Sequence, residues 1–395
     1  MTPFRPLKGL TVIEVSSLVA GPAMGSLLQT LGATVLKIEQ PIVGDAARNL
    51  SRWGFLNYNF GKKSVALNLK TKEGREVLHR LVERADIFLE NLGPDVGERL
   101  GFSYPALKKV NPHLIYCSIK GFSRESKHYS KPAFDAVAQA MSGTMSLTGE
   151  PGGAPLRVGN PSIDLGAAAY GTTEVLGALL ERRRSGRGRY FEISLFDMSV
   201  YWNGYWLTYY GLTGDLPQRL GSGHLAYCPH KVFETKDRRQ VFIATLSDDQ
   251  WRRLSEILQL SLGEPFDIMQ YRLTHRAEVE ASVGLVVSRL DLSDVLDKLD
   301  KRVPCAPVNS IADIYDDEEL NRRQVLIPIR HNGRNTKIVR PPISGNVREG
   351  DGTEKYREIK GRYSSPALGK DTIAVLKSLN YGETQIKSFR QKGII

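Results

Sequence analysis

The sequence predicts an α/β protein: a Rossmann-like parallel-sheet large domain joined to a smaller α+β domain. Three observations predict it. The first forty residues read strand, helix, strand; strand and helix patterns keep alternating as far as residue 198; past residue 211 the texture changes to a hairpin followed by helices. With 395 residues the chain exceeds one ordinary domain. We set the first part of the large domain at 1–210, the small domain with its flanking linker at 211–325, and a linker returning to the large domain at 326–395.

Each element has a local cause. Residues 9–15, Gly-Leu-Thr-Val-Ile-Glu-Val, form the near-continuous apolar run of a strand buried in a parallel sheet. Residues 16–22 read as a turn, 23–31 as a short helix ended by Gly32, and 33–39 as a second strand, which together make a βαβ unit. Its turn, Leu18-Val19-Ala20-Gly21-Pro22, lacks the GxGxxG fingerprint, which counts against a nicotinamide enzyme. A helix over 72–84 precedes a strand at 86–91; another strand at 114–119 follows Asn111-Pro112; a helix over 133–142 leads into the Gly- and Pro-rich loop 148–161. Pro161-Ser162 breaks what precedes, and a helical pattern runs from about Ile163 to Arg184 with Leu165, Ala168, Ala169, Val175, Leu176 and Leu179 on its apolar side. Residues 190–198 continue as a strand and then a helix whose Tyr201, Trp202, Tyr205, Trp206, Tyr209 and Tyr210 suit a core or a subunit interface. After the linker 211–223, a hairpin pairs 231–235 with 240–245, and helices follow at 248–258, 276–287 and 292–300. Residues 344–363 are polar and loop-like, and helices at 369–379 and 384–391 close the chain.

Composition sets the outer bounds. Hydrophobic content of 41% and charged content of 25% describe a globular protein, and no run approaches the roughly 18 apolar residues of a membrane span. The N-terminus has no apolar signal core, and Cys117, Cys228 and Cys305 are too far apart for a metal or disulfide motif, so we expect a cytoplasmic protein. The net charge of +11 is dispersed; its densest run, 181–189, closes the helix that starts near Asp164, where cations suit the dipole. No zinc-finger, helix-turn-helix or RNA-binding signature accompanies the charge, so no nucleic acid is expected, and a phosphate-bearing ligand uses the charge better. His224 and His230 lack the third ligand that a metal site needs.

Asp164 is the leading candidate for chemistry. It stands at the start of a helix, where unpaired backbone N–H groups favour negative charge, and Gly166, Ala167, Ala168, Ala169 and Gly171 leave room beside it. A carboxylate held ionised under an open space can attack an acyl group; the plainer reading is a helix cap.

The order of these pieces resembles the class III coenzyme A-transferases, the family of formyl-CoA and carnitine CoA-transferases with 2-methylacyl-CoA racemases as a branch. The resemblance covers nearly the whole chain, through residues 9–14, Ala20-Gly21-Pro22, residues 32–41, Gly44-Asp45, residues 61–70, Glu90-Asn91, residues 111–116, Phe134-Asp135, residues 184–188 and 303–308. It implies that Asp164 is the nucleophile of a transfer through aspartyl anhydride and aspartyl-CoA thioester intermediates, with acyl-CoA and a carboxylic acid as substrates and no tightly bound cofactor or metal. It implies that Leu18 and Val19 meet the pantetheine. Leu67 and Lys70 fall where the adenine and phosphates are held, with Asn91, Leu92 and Arg99 nearby. Gln40 stands where some members have arginine, and Lys131 lies one place from a lysine of the formyl transferases, with Pro132 in its position. It also implies a homodimer of interlocked, ring-shaped subunits.

Two departures sort the functions. The racemase branch has a histidine-aspartate pair where this chain has Phe134-Asp135, so racemisation lacks one base and is the alternative, beside a non-catalytic CoA-binding protein. Residues 221–224, Gly-Ser-Gly-His, lack the glycine run of formyl-CoA transferases, which points away from formate and oxalate; several arginines suit a second carboxylate, which makes dicarboxylic acids such as succinate the first panel. Asp135 either bonds to Asp164 or the acyl group, or serves as the acid of its own helix's first turn.

Overall fold

The computed structural model describes residues 5–342 and 364–395, together with the backbone of a two-residue ladder between Val347–Arg348 and Glu354–Lys355. The loop-like stretch expected over 344–363 otherwise lies outside the described residues. The chain divides into two compact units: Met1–Gly143, Val158–Tyr205 and Glu318–Ile395 form one, and Thr144–Arg157 and Trp206–Asp317 the other.

In the first unit the apolar runs become six parallel strands: β1 Thr11–Val15, β2 Thr34–Glu39, β3 Lys63–Ala66, β4 Ile87–Glu90, β5 Ile115–Lys120 and β6 Arg189–Ser194. They lie in the order β3-β2-β1-β4-β5-β6, so the direction of winding reverses between β1 and β4. Successive residues of a strand point to opposite faces. Val12, Val35, Ile87, Ile115 and Cys117 therefore pack on one side against Met24 and Leu28 of helix Ala20–Thr30 and Ala167, Ala168 and Val175 of helix Ser162–Ser185. Ile13, Leu36, Val65, Phe88 and Tyr116 face the other side, against Val77, Leu78 and Leu81 of helix Lys72–Val82 and Val375, Leu376 and Ile386 near the C-terminus. The register that places these faces is Val12↔Val35 on one flank of β1 and Val12↔Ile87 on the other.

Three details depart from the sequence reading. Helix Ala20–Thr30 starts three residues before the expected 23, because Pro22 in its first turn lacks only an N–H that has no helical partner there. β3 was not anticipated: it is a four-residue edge strand with Lys63 and Ser64 in it, and the returning chain covers its edge, Asp371 accepting from Ser64 N at 2.9 Å and Thr372 from Ala66 N at 2.9 Å. A hairpin pairs Leu326–His331 with Arg334–Val339. Its turn residues Asn332 and Gly333 have φ of 50° and 77°, the left-handed pair that Asn-Gly supplies.

The second unit holds an antiparallel sheet ordered β7-β8-β9, from His230–Glu234, Gln240–Ala244 and Cys305–Pro307. Trp251, Leu254, Val279, Val283, Val295 and Leu299, from helices Asp248–Leu258, Arg276–Val287 and Leu292–Leu299, pack with Phe233, Val241 and Ile243 of the sheet. Residues 144–157 belong to this unit although the sequence reading kept them with the large domain. Arg219 donates to the carbonyls of Ser146 and Gly153 at 3.2 and 2.6 Å, and Gly221 N to Gly149 O at 3.0 Å.

Candidate active site

In open α/β sheets ligands bind beyond the carboxyl ends of the strands where the winding reverses. Here that place is the gap between the ends of β1 and β4. Leaving β1, the chain passes through Ser17 to Leu18, whose φ of 65° puts a leucine in the left-handed region at a cost of about 1–2 kcal/mol. Contacts from two directions hold it there. Asn91, just past β4, accepts from Ser17 N at 2.8 Å and donates to Ser17 O at 2.9 Å. Asp45 Oδ1 accepts from Ser17 Oγ at 2.7 Å, Leu18 N at 3.0 Å and Ala47 N at 2.8 Å. Asp45 is anchored in turn by a fully buried cluster in which Lys37 Nζ lies 2.8 Å from Asp45 and 2.9 Å from Glu14, and Lys62 Nζ 2.7 Å from Glu14. Burial, opposed by the Glu14 charge, pulls the Lys62 ammonium down to about 8. After the turn, helix Ala20–Thr30 begins with no side-chain cap, and among the described residues the N–H groups of Val19 and Ala20 meet no acceptor.

Two adjoining clefts open on this turn. One, of about 290 Å³, is lined by Gln40, Leu67, Lys70 and Leu92; the other, of about 480 Å³, by Leu18, Val19, Asn91, Leu92, Lys131, Phe134 and Asp164. Ser17 and Leu92 line both. The fold thus gathers ten of the residues singled out in the sequence along a single path from Lys70 to Asp164. Arg99, exposed on helix Val96–Leu100, lines neither cleft.

Asp164 sits in the first turn of helix Ser162–Ser185, whose own N-cap, Pro161, offers no side-chain bond. Asp135, at the start of helix Asp135–Met141, supplies the cap from elsewhere in the chain: its Oδ2 accepts from Ile163 N at 2.8 Å and Asp164 N at 3.2 Å. Its Oδ1 accepts from Gln139 Nε2 at 2.6 Å, and the other end of the buried Gln139 amide accepts from Val158 N at 2.9 Å, fixing the approach to the helix. This corrects the sequence expectation that the helix amides keep the Asp164 carboxylate ionised. Two of those amides are occupied by Asp135, and among the described residues no donor reaches the Asp164 carboxylate. Burial first, and the negative charge of Asp135 second, push the Asp164 carboxyl up to about 7. Tyr58, which the sequence reading passed over, feels this group: burial and the Asp164 charge raise its hydroxyl above the ordinary range. Asp45 lay within a motif of the resemblance, but only the fold gives it a task. Among the described residues no three His, Cys, Asp or Glu side chains gather as a metal would require, and no helix is long and apolar enough to cross a membrane.

Sequence and fold both have counterparts in known proteins. The profile of CoA-transferase family III matches residues 7–372. The chain is 33% identical over 392 residues to a succinate–glutarate CoA-transferase of Agrobacterium fabrum, covering 95% of this chain and 96% of that one. It is 31% identical to the succinyl-CoA–L-malate CoA-transferase beta subunit of Chloroflexus aurantiacus, covering 99% and 98%. A crystal structure of a CAIB/BAIF family protein from Brucella suis superposes with a TM-score of 0.82 at 31% identity, over 95% of this chain and 99% of that one. The chain belongs to CoA-transferase family III, and it is an enzyme of that class.

Proposed function

We propose that the protein moves coenzyme A from an acyl-CoA to an acceptor carboxylic acid by covalent exchange on Asp164. The observation that carries the reading is the Asp164 carboxyl, without a donor among the described residues, in a cleft that continues toward Lys70 and Gln40. An Asp164 oxygen attacks the thioester carbonyl carbon; the C–S bond breaks, releasing CoA thiolate and leaving a mixed anhydride. The thiolate attacks the Asp164 carbonyl carbon and expels the donor acid as carboxylate, giving an aspartyl-CoA thioester. The acceptor carboxylate displaces the thiolate to form a second anhydride. The thiolate then attacks the acceptor's acyl carbon, making the new thioester and restoring Asp164. Each step places charge on a carbonyl oxygen, and the unpaired N–H groups of Val19 and Ala20 are the donors this cleft offers it. Asp135 holds the backbone of Asp164 in place. Lys70 and Gln40 receive the phosphate end of CoA, and Leu18, Val19 and Leu92 flank the pantetheine.

The relatives named above act on succinate, glutarate and malate, so we take dicarboxylic acids as the substrate class; Lys131 lines the Asp164 cleft and suits a second carboxylate. We also infer an interlocked homodimer. In the first unit Tyr201, Trp202 and Tyr205 are exposed, and in the second Leu207, Tyr210 and Leu212, large side chains that a second copy would cover; light scattering after gel filtration reads the mass. A cytoplasmic location suits the three free cysteines.

The test of the chemistry is peptide mass mapping after incubation with succinyl-CoA, glutaryl-CoA and other acyl-CoAs and trapping with hydroxylamine. A hydroxamate on Asp164, absent from Asp164→Ala while CoA binding persists, is the expected result. Residual turnover in Asp164→Ala beyond about a thousandth of wild type would remove Asp164 from the nucleophile's role.

A further inference from the structure

We propose that Asn91 and Asp45 are positioning residues: they hold the Ser17-Leu18 turn in its left-handed form, and through it they set the Val19 and Ala20 amides in the cleft. Asn91 then acts through the backbone and is not itself a ligand of CoA, although it lines the cleft. The inference rests on the transferase reading for what those amides do, but not for the turn itself.

Both ends of the Asn91 amide are engaged with the same residue, Ser17, through its N–H and its carbonyl. The last main-chain pair of the two strands is Val15↔Glu90, so these bonds stand where the next rung of the ladder would be, made by a side chain instead of a strand. The amide is also confined from behind: a Cβ on Gly21 would lie 3.1 Å from Asn91 Cγ and 2.4 Å from Ser16 Cβ. Asp45 grips the same turn through Ser17 Oγ and Leu18 N, backed by the buried Lys37 ammonium. Leucine does not stay at a φ of 65° unaided. Without the grip Leu18 relaxes to an ordinary conformation, and the next two residues, whose amides are free, turn with it.

Glycine adopts the left-handed form without penalty, so it separates positioning from direct contact. CoA affinity by calorimetry, and kcat and KM for acyl-CoA, are measured for wild type, Asn91→Ala, Leu18→Gly and the double variant. Asn91→Ala is expected to weaken CoA binding about tenfold and to lower kcat by a similar factor. Leu18→Gly alone gives up the side chain's contact with the pantetheine and weakens binding a few-fold, whereas adding it to Asn91→Ala raises affinity and kcat above those of Asn91→Ala, which is a non-additive cycle. A raised KM with unchanged kcat and no rescue by Leu18→Gly would make Asn91 a direct ligand and overturn the proposal. So would an Asn91→Ala variant that binds and turns over like wild type. If Asn91→Ala does not fold, Ser17→Ala removes the 2.7 Å bond to Asp45 and the 3.2 Å bond from Ala46 N while keeping both Asn91 bonds; it is expected to give a smaller loss that Leu18→Gly again relieves, and no relief overturns the proposal. The calorimetric arm needs no chemistry at Asp164, and hydroxylamine trapping on wild type reports on that chemistry separately.

Discussion

Replacing Asp135 by asparagine removes one negative charge beside Asp164 while keeping an oxygen for the Ile163 and Asp164 amides. In wild type the Asp164 carboxyl titrates at about 7 against an ordinary 3.8, with burial the larger cause and Asp135 the smaller. As the smaller of the two causes, Asp135 accounts for less than half of that rise, at most about 1.6 pH units or about 2 kcal/mol. A nucleophile must be ionised. Wild-type kcat/KM should therefore climb through a midpoint near pH 7 and level off above pH 8; in Asp135→Asn the midpoint should move down, no lower than about pH 5.5. The plateau should fall as well, by about tenfold, because the new amide N–H₂ faces the Gln139 amide and a charged cap becomes a neutral one. The assay is transfer of CoA from a saturable acyl-CoA donor between pH 5 and 9, fitted for midpoint and plateau separately. A wild-type profile flat from pH 5.5 to 8, or an Asp135→Asn midpoint that stays put or rises, would refute the coupling of these two acids.

Three further outcomes are expected. Asp164→Asn should stabilise the fold above pH 7: the folded carboxyl binds its proton more tightly than the unfolded one, so wild-type stability falls as pH rises from 3.8 to about 7, and a gap of up to about 4 kcal/mol opens across that window in denaturant melts. Lys70→Ala should raise KM for acyl-CoA about fivefold with kcat intact, and the difference should shrink in 0.5 M salt, since Lys70 is an exposed cation in the smaller cleft. Gly25→Ala should destabilise the protein by about 3 kcal/mol in thermal and denaturant melts, because its Cβ would lie 1.9 Å from Glu14 Oε2 and displace a buried charge from Lys62.

Much of the frame was legible because its causes are local. Helix Asp248–Leu258 begins where expected, since Ser247 caps it at Gln250 N, and Trp251, Leu254 and Leu258 repeat on one face. The strand runs of β1, β2, β4 and β5 announced themselves by continuous burial on both faces. What stayed hidden is non-local. β3 is recognisable as a strand only once Thr372 and Asp371 cover it. The cap on the Asp164 helix comes from Asp135, 28 positions from Ile163, and no pattern around residue 164 shows that its amides are already occupied. Leu18 is a leucine where the backbone asks for glycine, so composition alone hides the turn. The Asn332-Gly333 turn, by contrast, is a local signal that the sequence carries in full.

The ring of charges under the cleft limits how this enzyme can change. Glu14, Lys37, Asp45 and Lys62 are each fully buried at the side chain and pair in a row, so exchanging Glu14 strands Lys62 and exchanging Lys37 strands Asp45 without its counter-charge. Routes that alter Glu14 or Lys37 must therefore pass through paired substitutions, and libraries varied one position at a time will find only losses at these two positions. New substrate preferences are reachable instead from the exposed rim of the Asp164 cleft, where Lys131 and Phe134 can each be replaced alone.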